Sequence, residues 1–334
     1  MTTFDPNQLK ISHEISRQDV LLSVAKSNTS DALFIGSNDF SIYRTTLDKD
    51  KPDWQPFGKH KSYVTGTVIC GNQLVSGAYD KSLRWWDTTN NTEVRCLNNA
   101  HAKWIRDVNV TPDEAKIISV ADDMICRVWD ATDGSLQLEL KGHQPQTPHH
   151  FPSMLFCTAV SADGRLLATA DKTGHIVVWD LETGKQLATL EAPTMYTWDP
   201  KARIHSIGGI RSLAFSPDSR LLAAGGIGQI GNIDHLGALA RIEIFDWQKQ
   251  ERTHEFPGDQ HKGLVEQLRF SPDGKTLLAV GGDHGGFIKF IDLASSKLIK
   301  QDKAPMHVHD MVVADDWSSI CGVGHNRLAV WTLA

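Results

Sequence analysis

Two stretches with the same layout decide the fold: residues 76–87 read SGAYDKSLRWWD, and residues 119–130 read SVADDMICRVWD. In each, an Asp follows the first Ser by four positions, and a Trp follows that Asp by six. A third copy, ADKTGHIVVWD, occupies residues 170–180. Four weaker copies lie near residues 36–45 and in stretches that end at Asp246, Asp292 and Trp331. The chain therefore contains seven repeat units, each expected to be one supersecondary element.

The spacing of the copies predicts the size of each element. Successive terminal aromatic residues, from Trp86 to Trp331, are 43, 50, 66, 45 and 41 residues apart. A period in the low forties is typical of a four-stranded blade. Within a unit, as in LAFSPDSRLLAAGG at 213–226, two apolar runs flank a Ser-Pro-Asp-Ser turn. No long amphipathic pattern of helical period is evident, so we predict an all-β chain of antiparallel four-stranded blades.

The repeats resemble the WD40 repeat family of β-propellers over almost the whole chain, roughly residues 10–334. Two copies of the family's His–Ser–Asp–Trp tetrad carry this resemblance, at His60, Ser76, Asp80 and Trp86 and at His101, Ser119, Asp123 and Trp129. The resemblance implies a seven-bladed propeller in a single domain, residues 1–334, of a bacterial-type member. The tetrads would be buried hydrogen-bond networks with a structural role, because a catalytic triad needs an exposed nucleophile.

Two departures from the repeat carry further expectations. In the fourth unit Thr173 stands at the tetrad Asp position and Asp171 lies two positions early, so we expect no tetrad there. The last unit ends after a third strand, at Trp331. The segment from about residue 8 to 16 alternates apolar with polar residues. We predict that it supplies the outer strand of blade seven and closes the propeller, because open sheet edges promote aggregation.

Composition excludes several functional classes. The net charge of −6 argues against a large nucleic-acid surface. No apolar stretch is long enough to span a membrane, and the N-terminus lacks the pattern of a secretory signal. The five cysteines are scattered without a CxxC. We expect a monomeric cytoplasmic protein that binds neither nucleic acid nor membrane and uses no cofactor.

Three long loops, residues 142–153, 192–208 and 226–238, are expected to share one rim with the channel mouth. Long loops on a rigid scaffold often carry binding residues. The candidate partner-binding residues in these loops are His150, Tyr196, Trp198 and His235. Tyr and Trp are favoured in binding hot spots. The alternative for Tyr196 and Trp198 is a local mini-core that orders their loop.

A second set of candidates matches positions that rim the central opening in the family and often contact peptides. Tyr63 and Trp104 each follow the loop His of their unit by three positions, Arg106 follows Trp104 by two, and His307 occupies the same repeat position. His307 and His309 form an HxH, but solvated or hydrogen-bonded histidines are the default interpretation, so we predict no metal ligand and no catalytic residue. The Gly pairs at 225–226 and 281–282 lack the context of a phosphate-binding loop.

We therefore predict a non-enzymatic scaffold that binds a protein or peptide on the top rim. The alternative is a propeller enzyme or a protein that binds a small ligand or metal, using the channel mouth and the long loops of blades four and five. A concave polar pocket with shifted titratable groups would favour that alternative. A flat apolar patch would favour a protein partner.

Overall fold

Strands dominate the computed structural model, which describes residues 4–47 and 52–333. Within these ranges the only helices are two 3-10 turns, at Pro6–Gln8 and Pro193–Met195. Among the described residues, no helix has the length and apolar character needed to cross a membrane. Residues 1–3 and 334, the ends of the predicted domain, lie outside the described part. The chain divides into two compact units, with unit 1 comprising Met1–Ser119, Val128–Gln137 and Val308–Ala334 and unit 2 comprising Val120–Arg127 and Leu138–His307.

Unit 1 contains two complete sheets. The joined sheet consists, in hydrogen-bonding order, of β27 (Val308–Val313), β28 (Ser319–Thr332), β1 (Lys10–Lys26), β2 (Leu33–Ser37), β3 (Ser41–Thr45) and β4 (Gln55–Lys59). The second sheet consists of β5 (Val64–Cys70), β6 (Gln73–Ala78), β7 (Leu83–Asp87) and β8 (Thr92–Leu97).

The third sheet carries the points at which the two units divide. It consists of β12 (Leu136–Leu140), β11 (Cys126–Asp130), β10 (Lys116–Ala121) and β9 (Ile105–Val110).

Unit 2 contains three complete four-stranded sheets and a hairpin. The fourth sheet consists of β13 (Leu155–Val160), β14 (Leu166–Asp171), β15 (His175–Asp180) and β16 (Gln186–Glu191). The hairpin consists of β17 (Tyr196–Asp199) and β18 (His205–Gly208). The fifth sheet consists of β19 (Ile210–Phe215), β20 (Leu221–Ile227), β21 (Ala240–Asp246) and β22 (Glu251–Phe256). The sixth sheet consists of β23 (Leu264–Phe270), β24 (Thr276–Gly282), β25 (Gly286–Asp292) and β26 (Lys297–Ala304).

The described residues thus form an all-β propeller with six blade sheets, so the predicted count of seven blades was wrong. The reason lies in β1, a strand of 17 residues that pairs on both sides. Its first part pairs with β28, from Lys10 opposite Thr332 to Ser16 opposite Arg327. Its second part pairs with β2, down to Lys26 opposite Leu33. The N-terminal segment therefore pairs with the final strand, but one continuous strand merges the first and last repeat units into a single sheet.

Within each unit, apolar side chains fill the space between neighbouring sheets. In unit 1, Phe34 and Ile42 of the joined sheet and Leu74 and Trp86 of the second sheet belong to one buried cluster. Each fully buried side chain of this size contributes roughly 1.5–3 kcal/mol through removal of apolar surface from water. Glycine permits the close approach of the two sheets, since a Cβ at Gly36 would lie 2.8 Å from the Val64 carbonyl oxygen.

Candidate functional site

The second sheet contains a chain of buried hydrogen bonds. Trp86 Nε1–H donates to Ser76 Oγ at 2.8 Å, and the Ser76 oxygen lies 2.8 Å from His60 Nε2. The other nitrogen, His60 Nδ1, lies 3.2 Å from an Asp80 carboxylate oxygen that also accepts the Lys61 N–H. A neutral imidazole donates from one nitrogen and accepts at the other, so His60 donates to Asp80 and accepts from Ser76. The network links the loop after β4, strands β6 and β7, and the turn between them.

Burial sets the charge states in this network. Desolvation lowers the pKa of His60, so its ring stays neutral near pH 7. Burial alone would raise the pKa of Asp80, but hydrogen bonds from His60 and Ser82 outweigh it and hold that pKa well below its ordinary value. The Ser76 residue is completely buried. Its hydroxyl is therefore inaccessible to a substrate, and we assign the network a structural role.

The fourth sheet contains the same kind of network, so the expectation that this unit lacks one was wrong. Trp179 Nε1–H donates to Thr169 Oγ1 at 2.9 Å, and that oxygen lies 2.8 Å from His143 Nε2. His143 Nδ1 lies 2.9 Å from an Asp171 carboxylate oxygen. Residues two positions apart on a strand share a face, so Asp171 of β14 lies on the same side as Thr169. Thr173, at the expected Asp position, instead donates its hydroxyl to Asp171 at 2.7 Å.

The charge states match those of the second sheet. Desolvation lowers the pKa of His143. Burial alone would raise the pKa of Asp171, but its interactions with His143 and Thr173 outweigh that effect and lower the pKa. A neutral ring again donates to an ionised carboxylate.

The other predicted tetrad is divided between the two units. In unit 1, His101 Nε2 lies 2.7 Å from Ser119 Oγ, which also accepts Trp129 Nε1–H at 2.9 Å. In unit 2, Asp123 accepts a hydrogen bond from the Arg127 guanidinium at 2.9 Å. The hydroxyl again stands between a ring nitrogen and an indole N–H.

Backbone hydrogen bonds connect two turns, one in the joined sheet and one in the second sheet, to the loops that lead into the following repeat units. Phe40, between β2 and β3, and Lys81, between β6 and β7, have φ angles of 77° and 72°. The left-handed region is uncommon for residues with a side chain. The Phe40 carbonyl accepts the His60 N–H at 2.8 Å, and the Lys81 carbonyl accepts the His101 N–H at 3.3 Å. Each turn therefore anchors the loop that leads into the next repeat unit.

These anchored turns and loops present a row of aromatic rings, hereafter the aromatic row: Phe40, Tyr63, Tyr79 and Trp104. Ring centroids are 5.8 Å apart for Phe40 and Tyr63 and 5.6 Å apart for Tyr63 and Tyr79. Tyr79 and Trp104 are stacked with centroids 4.7 Å apart and planes 7° apart. Trp104 keeps 49% of its surface exposed, and Tyr63 keeps 42%. The row is therefore an exposed apolar surface with ordered side chains.

Arg106 of β9 fixes one end of the aromatic row. Its guanidinium carbon lies 4.8 Å from the centroid of the Tyr79 ring and 5.5 Å from a ring of Trp104. The guanidinium also donates a hydrogen bond to the Tyr79 hydroxyl. A cation over an aromatic face is attracted by the ring quadrupole. Arg106 therefore holds Tyr79 and Trp104 in one arrangement.

Close packing of β5 and β6 against β9 brings Tyr79 and Trp104 together. A Cβ at Gly66 would lie 2.8 Å from the Val108 nitrogen, and one at Gly77 would lie 2.5 Å from Val108 Cγ2. Contacts this short exclude a side chain at either position. Glycine therefore allows the approach that sets Trp104, directly before β9, against Tyr79, directly after β6.

The long loops of unit 2 form a different aromatic cluster, hereafter the His149 stack. The His149 ring lies 3.6 Å from the Trp198 ring, centroid to centroid, with planes 16° apart. The Tyr196 ring is stacked with the His149 ring at a centroid distance of 5.8 Å, and the Tyr196 hydroxyl donates to Thr147 Oγ1 at 2.9 Å. Trp198 lies in β17, opposite Ser206 of β18. The hairpin therefore folds back onto the loop that follows His143.

The third long loop is also ordered locally. Ile227, Ile230 and Leu264 form a small buried cluster. The Ile230 N–H donates to Thr197 Oγ1 at 2.9 Å, which joins this loop to the hairpin. Together with the His149 stack, this bond favours the mini-core alternative for the loop that carries Tyr196 and Trp198.

The remaining predicted histidines lie elsewhere. His150 is exposed in a turn with a φ of 64°, and His235 is exposed in the loop between β20 and β21. Within residues 4–47 and 52–333, no ring contact joins either of them to the His149 stack. His307 is buried in unit 2, where its Nε2 lies 3.0 Å from Glu266 Oε1. In unit 1, the rings of His309 and His325 lie 4.8 Å apart.

Sequence reasoning selected Tyr63, Trp104 and Arg106 but missed Tyr79 and Phe40, which complete the row. A signal for both was present in the repeat. Tyr79 directly precedes the tetrad Asp80, and Phe40 occupies the repeat position of Lys81, after Asp39. Turn positions beside the tetrad Asp therefore share one sheet edge. The stacking of His149 on Trp198 could not be read from the loop sequence, because it depends on a fold-back of the hairpin.

Comparison with protein families gives an independent result. Residues 55–87, 92–130, 134–180, 200–229 and 250–292 match the family model described as "WD domain, G-beta repeat". The matched stretches cover more than half of the chain.

Among curated proteins, the nuclear distribution protein PAC1 of Arthroderma otae is 29% identical over 275 residues, 77% of this chain and 53% of that protein. PAC1 of Arthroderma benhamiae is 28% identical with the same coverage. Apoptotic protease-activating factor 1 of Rattus norvegicus is 29% identical over 159 residues, 48% of this chain and 12% of that protein. The chain spans about half the length of the PAC1 relatives. These relatives are fungal and mammalian, so the expectation of a bacterial-type member is not supported.

Proposed function

The chain belongs to the WD-repeat family, and from that premise we propose that it is a non-enzymatic interaction module that binds a protein or peptide partner. The observation that carries this proposal is the aromatic row. Exposed contiguous apolar surface on a folded protein usually marks an interaction site. Trp and Tyr are the residues most often found at the energetic centre of such sites.

The row is pre-organised for binding. Tyr79 and Trp104 stack on each other and against Arg106, so a partner would not need to immobilise them. Ordering a mobile side chain at an interface costs about 0.5–1.5 kcal/mol. Rings that are already fixed avoid most of that loss, which favours the row as a docking surface.

Catalysis is not part of the proposal. The His, Asp and Ser or Thr sets resemble catalytic triads only by residue type. Their hydroxyls accept an indole N–H and lie in the buried interior, as Ser76 and Thr169 do. A nucleophile must be exposed to a substrate. We assign these sets to the stability of the sheets.

The proposed setting is the cytoplasm, with the chain itself monomeric. The PAC1 relatives are named for nuclear distribution, and we extend to this chain only the expectation that it joins a larger protein assembly. The partner would dock on the aromatic row of unit 1. His150, His235 and His307 are not part of that proposed surface.

The test is capture of partners from the native source on immobilised full-length chain, quantified by mass spectrometry. Trp104→Ala should weaken the captured interaction by about 2 kcal/mol, roughly thirtyfold in affinity. Trp198→Ala is the matched control, since Trp198 is similarly exposed, at 40%, but stacks on His149. Unchanged capture by Trp104→Ala would remove the row as the binding surface. Selective loss with Trp198→Ala would transfer the proposal to the loops of unit 2.

A further inference from the structure

The loops that carry the aromatic row also carry exposed lysines. Lys61 lies two residues before Tyr63, Lys81 two residues after Tyr79, and Lys103 directly before Trp104. All three lysines are exposed. Within the described part of the chain, none of the three forms an ion pair. Each lysine therefore lies within two residues of Tyr63, Tyr79 or Trp104 along the chain.

Two carboxylates on these turns, Asp80 and Asp39, form hydrogen bonds within the protein and remain ionised. Asp80 accepts hydrogen bonds from His60 and from the Lys61 backbone N–H. Asp39 accepts the Tyr43 hydroxyl and the Ser41 N–H. The lysine side chains face solvent, while Asp39 and Asp80 keep their negative charge and the chain as a whole carries a net charge of −6. The three lysines and Arg106 outnumber Asp39 and Asp80 along this edge, which favours a partner of opposite charge.

We propose that the aromatic row binds an extended acidic peptide segment, with apolar side chains on the rings and carboxylates beside Lys61, Lys81 and Lys103. This inference rests on the proposed function and specifies the chemistry of the partner. The lysines and the rings lie on the same turns and loops. An acidic segment with interspersed apolar residues satisfies both.

The ring spacings limit how an extended chain can lie along the row. Adjacent centroids are separated by 5.8, 5.6 and 4.7 Å. In an extended peptide, side chains on one face recur about every 6.5–7 Å. Each ring spacing is shorter than this repeat, so alternate side chains would contact the row without meeting every ring, while the intervening ones point toward the flanking lysines or solvent.

Single-stranded nucleic acid also binds surfaces that combine aromatic rings with positive charge. Such binding needs free ring faces on which bases stack. Tyr79 and Trp104 already stack on each other with planes 7° apart, and the Arg106 guanidinium lies over both. The mutual stacking of Tyr79 and Trp104 reduces the ring surface left for bases, which favours a peptide over single-stranded nucleic acid.

Selection from a random library of short displayed peptides tests the inference on the full-length chain. Parallel selections use Trp104→Ala, the double variant Lys61→Glu with Lys103→Glu, and the control double variant Lys10→Glu with Lys26→Glu. Lys10 and Lys26 are exposed on β1. Lys26 pairs with Leu33, at the end of the β1–β2 pair that is remote from Phe40. Thermal melting of each variant confirms that it is folded.

Enriched peptides should be rich in Asp and Glu with interspersed apolar residues, and both row variants should lose them while the control keeps them. Charge reversal at Lys61 and Lys103 should weaken the affinity for a synthesised lead peptide by about tenfold. Added salt should weaken the binding of this peptide to the unmodified chain. Neutral or basic peptides that still require Trp104 would overturn the acidic inference and leave the proposed function standing. Enrichment independent of Trp104 would overturn both. Displacement of the peptides by oligothymidylate that binds more tightly would replace the peptide with nucleic acid.

Discussion

The edges of the second and fourth sheets rest on similar buried networks but present different surfaces. In both, an indole N–H, a hydroxyl and a neutral His lead to an ionised Asp. At the second sheet, short loops leave Tyr63 and Trp104 exposed. At the fourth sheet, long loops fold back, and Trp198 packs on His149 at 3.6 Å. The buried network is thus common to both edges, and loop length determines which aromatic side chains each edge exposes.

The buried networks of the second and fourth sheets also differ in one contact. The shortest distance from His60 Nδ1 to Asp80 is 3.2 Å, and Ser82 Oγ lies 3.1 Å from the same nitrogen. His143 Nδ1 lies 2.9 Å from Asp171. A second acceptor is therefore within reach in the second sheet. The shorter contact in the fourth sheet indicates that Asp171 is the more important carboxylate for stability.

The first prediction separates these carboxylates. Asp171→Ala should leave the buried His143 Nδ1–H without its acceptor, which costs about 1–3 kcal/mol of unfolding free energy. Asp80→Ala should cost less, because Ser82 can accept from His60. Denaturant titration of both variants measures the difference, with Glu182→Ala, an exposed turn residue, as the control. Equal losses would show that the Ser82 contact does not compensate.

A second prediction concerns Asp310 of β27, in the joined sheet. Its carboxylate accepts the Val24 and Met311 N–H groups, each at 2.8 Å. Enclosure of this carboxylate raises its pKa to about 7, above its unfolded value. Stability from the protonated form is complete below about pH 4 and is lost as the pH rises toward 7. Asp310→Asn should flatten this decline, by up to about 1.4 kcal/mol per pH unit. Unfolding free energies measured between pH 4 and pH 8 test this, and an unchanged slope would contradict it.

The networks should produce the opposite pH dependence. Burial lowers the pKa of His60 and of His143 in the folded chain. The unfolded chain binds more protons below about pH 6.5, so stability falls as the pH drops through that value. In an Asp310→Asn background, His60→Gln and His143→Gln should each reduce the slope between pH 7 and pH 5. A slope that survives both substitutions would place the titration elsewhere.

The smallest expected effect concerns the two exposed tryptophans. Trp198→Ala should lower the unfolding free energy by about 0.5–1.5 kcal/mol through loss of its stacking on His149. Trp104→Ala removes a similar stack on Tyr79, but Arg106 still covers the Tyr79 ring. We therefore expect the smaller stability loss for Trp104→Ala, about 0.5 kcal/mol. Thermal melting of both variants measures this. A larger loss for Trp104→Ala would mean that the row is mainly structural.

The sequence by itself determined the repeats, the all-β character and most residues of the buried networks. Those features follow from local patterns, since turn residues, strand runs and fixed offsets act within one unit. The sequence pattern did not predict the network of the fourth sheet, because Asp171 contacts His143 from within the strand, two residues from Thr169, and not from the turn. A fixed spacing between the Ser and Asp positions cannot identify a carboxylate that contacts the same His from a different position in the sequence.

Tertiary structure alone decided the number of blade sheets and the makeup of the aromatic row. Seven units gave six sheets because β1 pairs with β28 along one part and with β2 along the other, residues far apart in sequence. Tyr79 and Trp104 stack because Gly66 and Gly77 allow β9 to approach β5 and β6. Repeat patterns specify contacts within a unit. Contacts between units depend on packing distances and strand continuity, which no single repeat encodes.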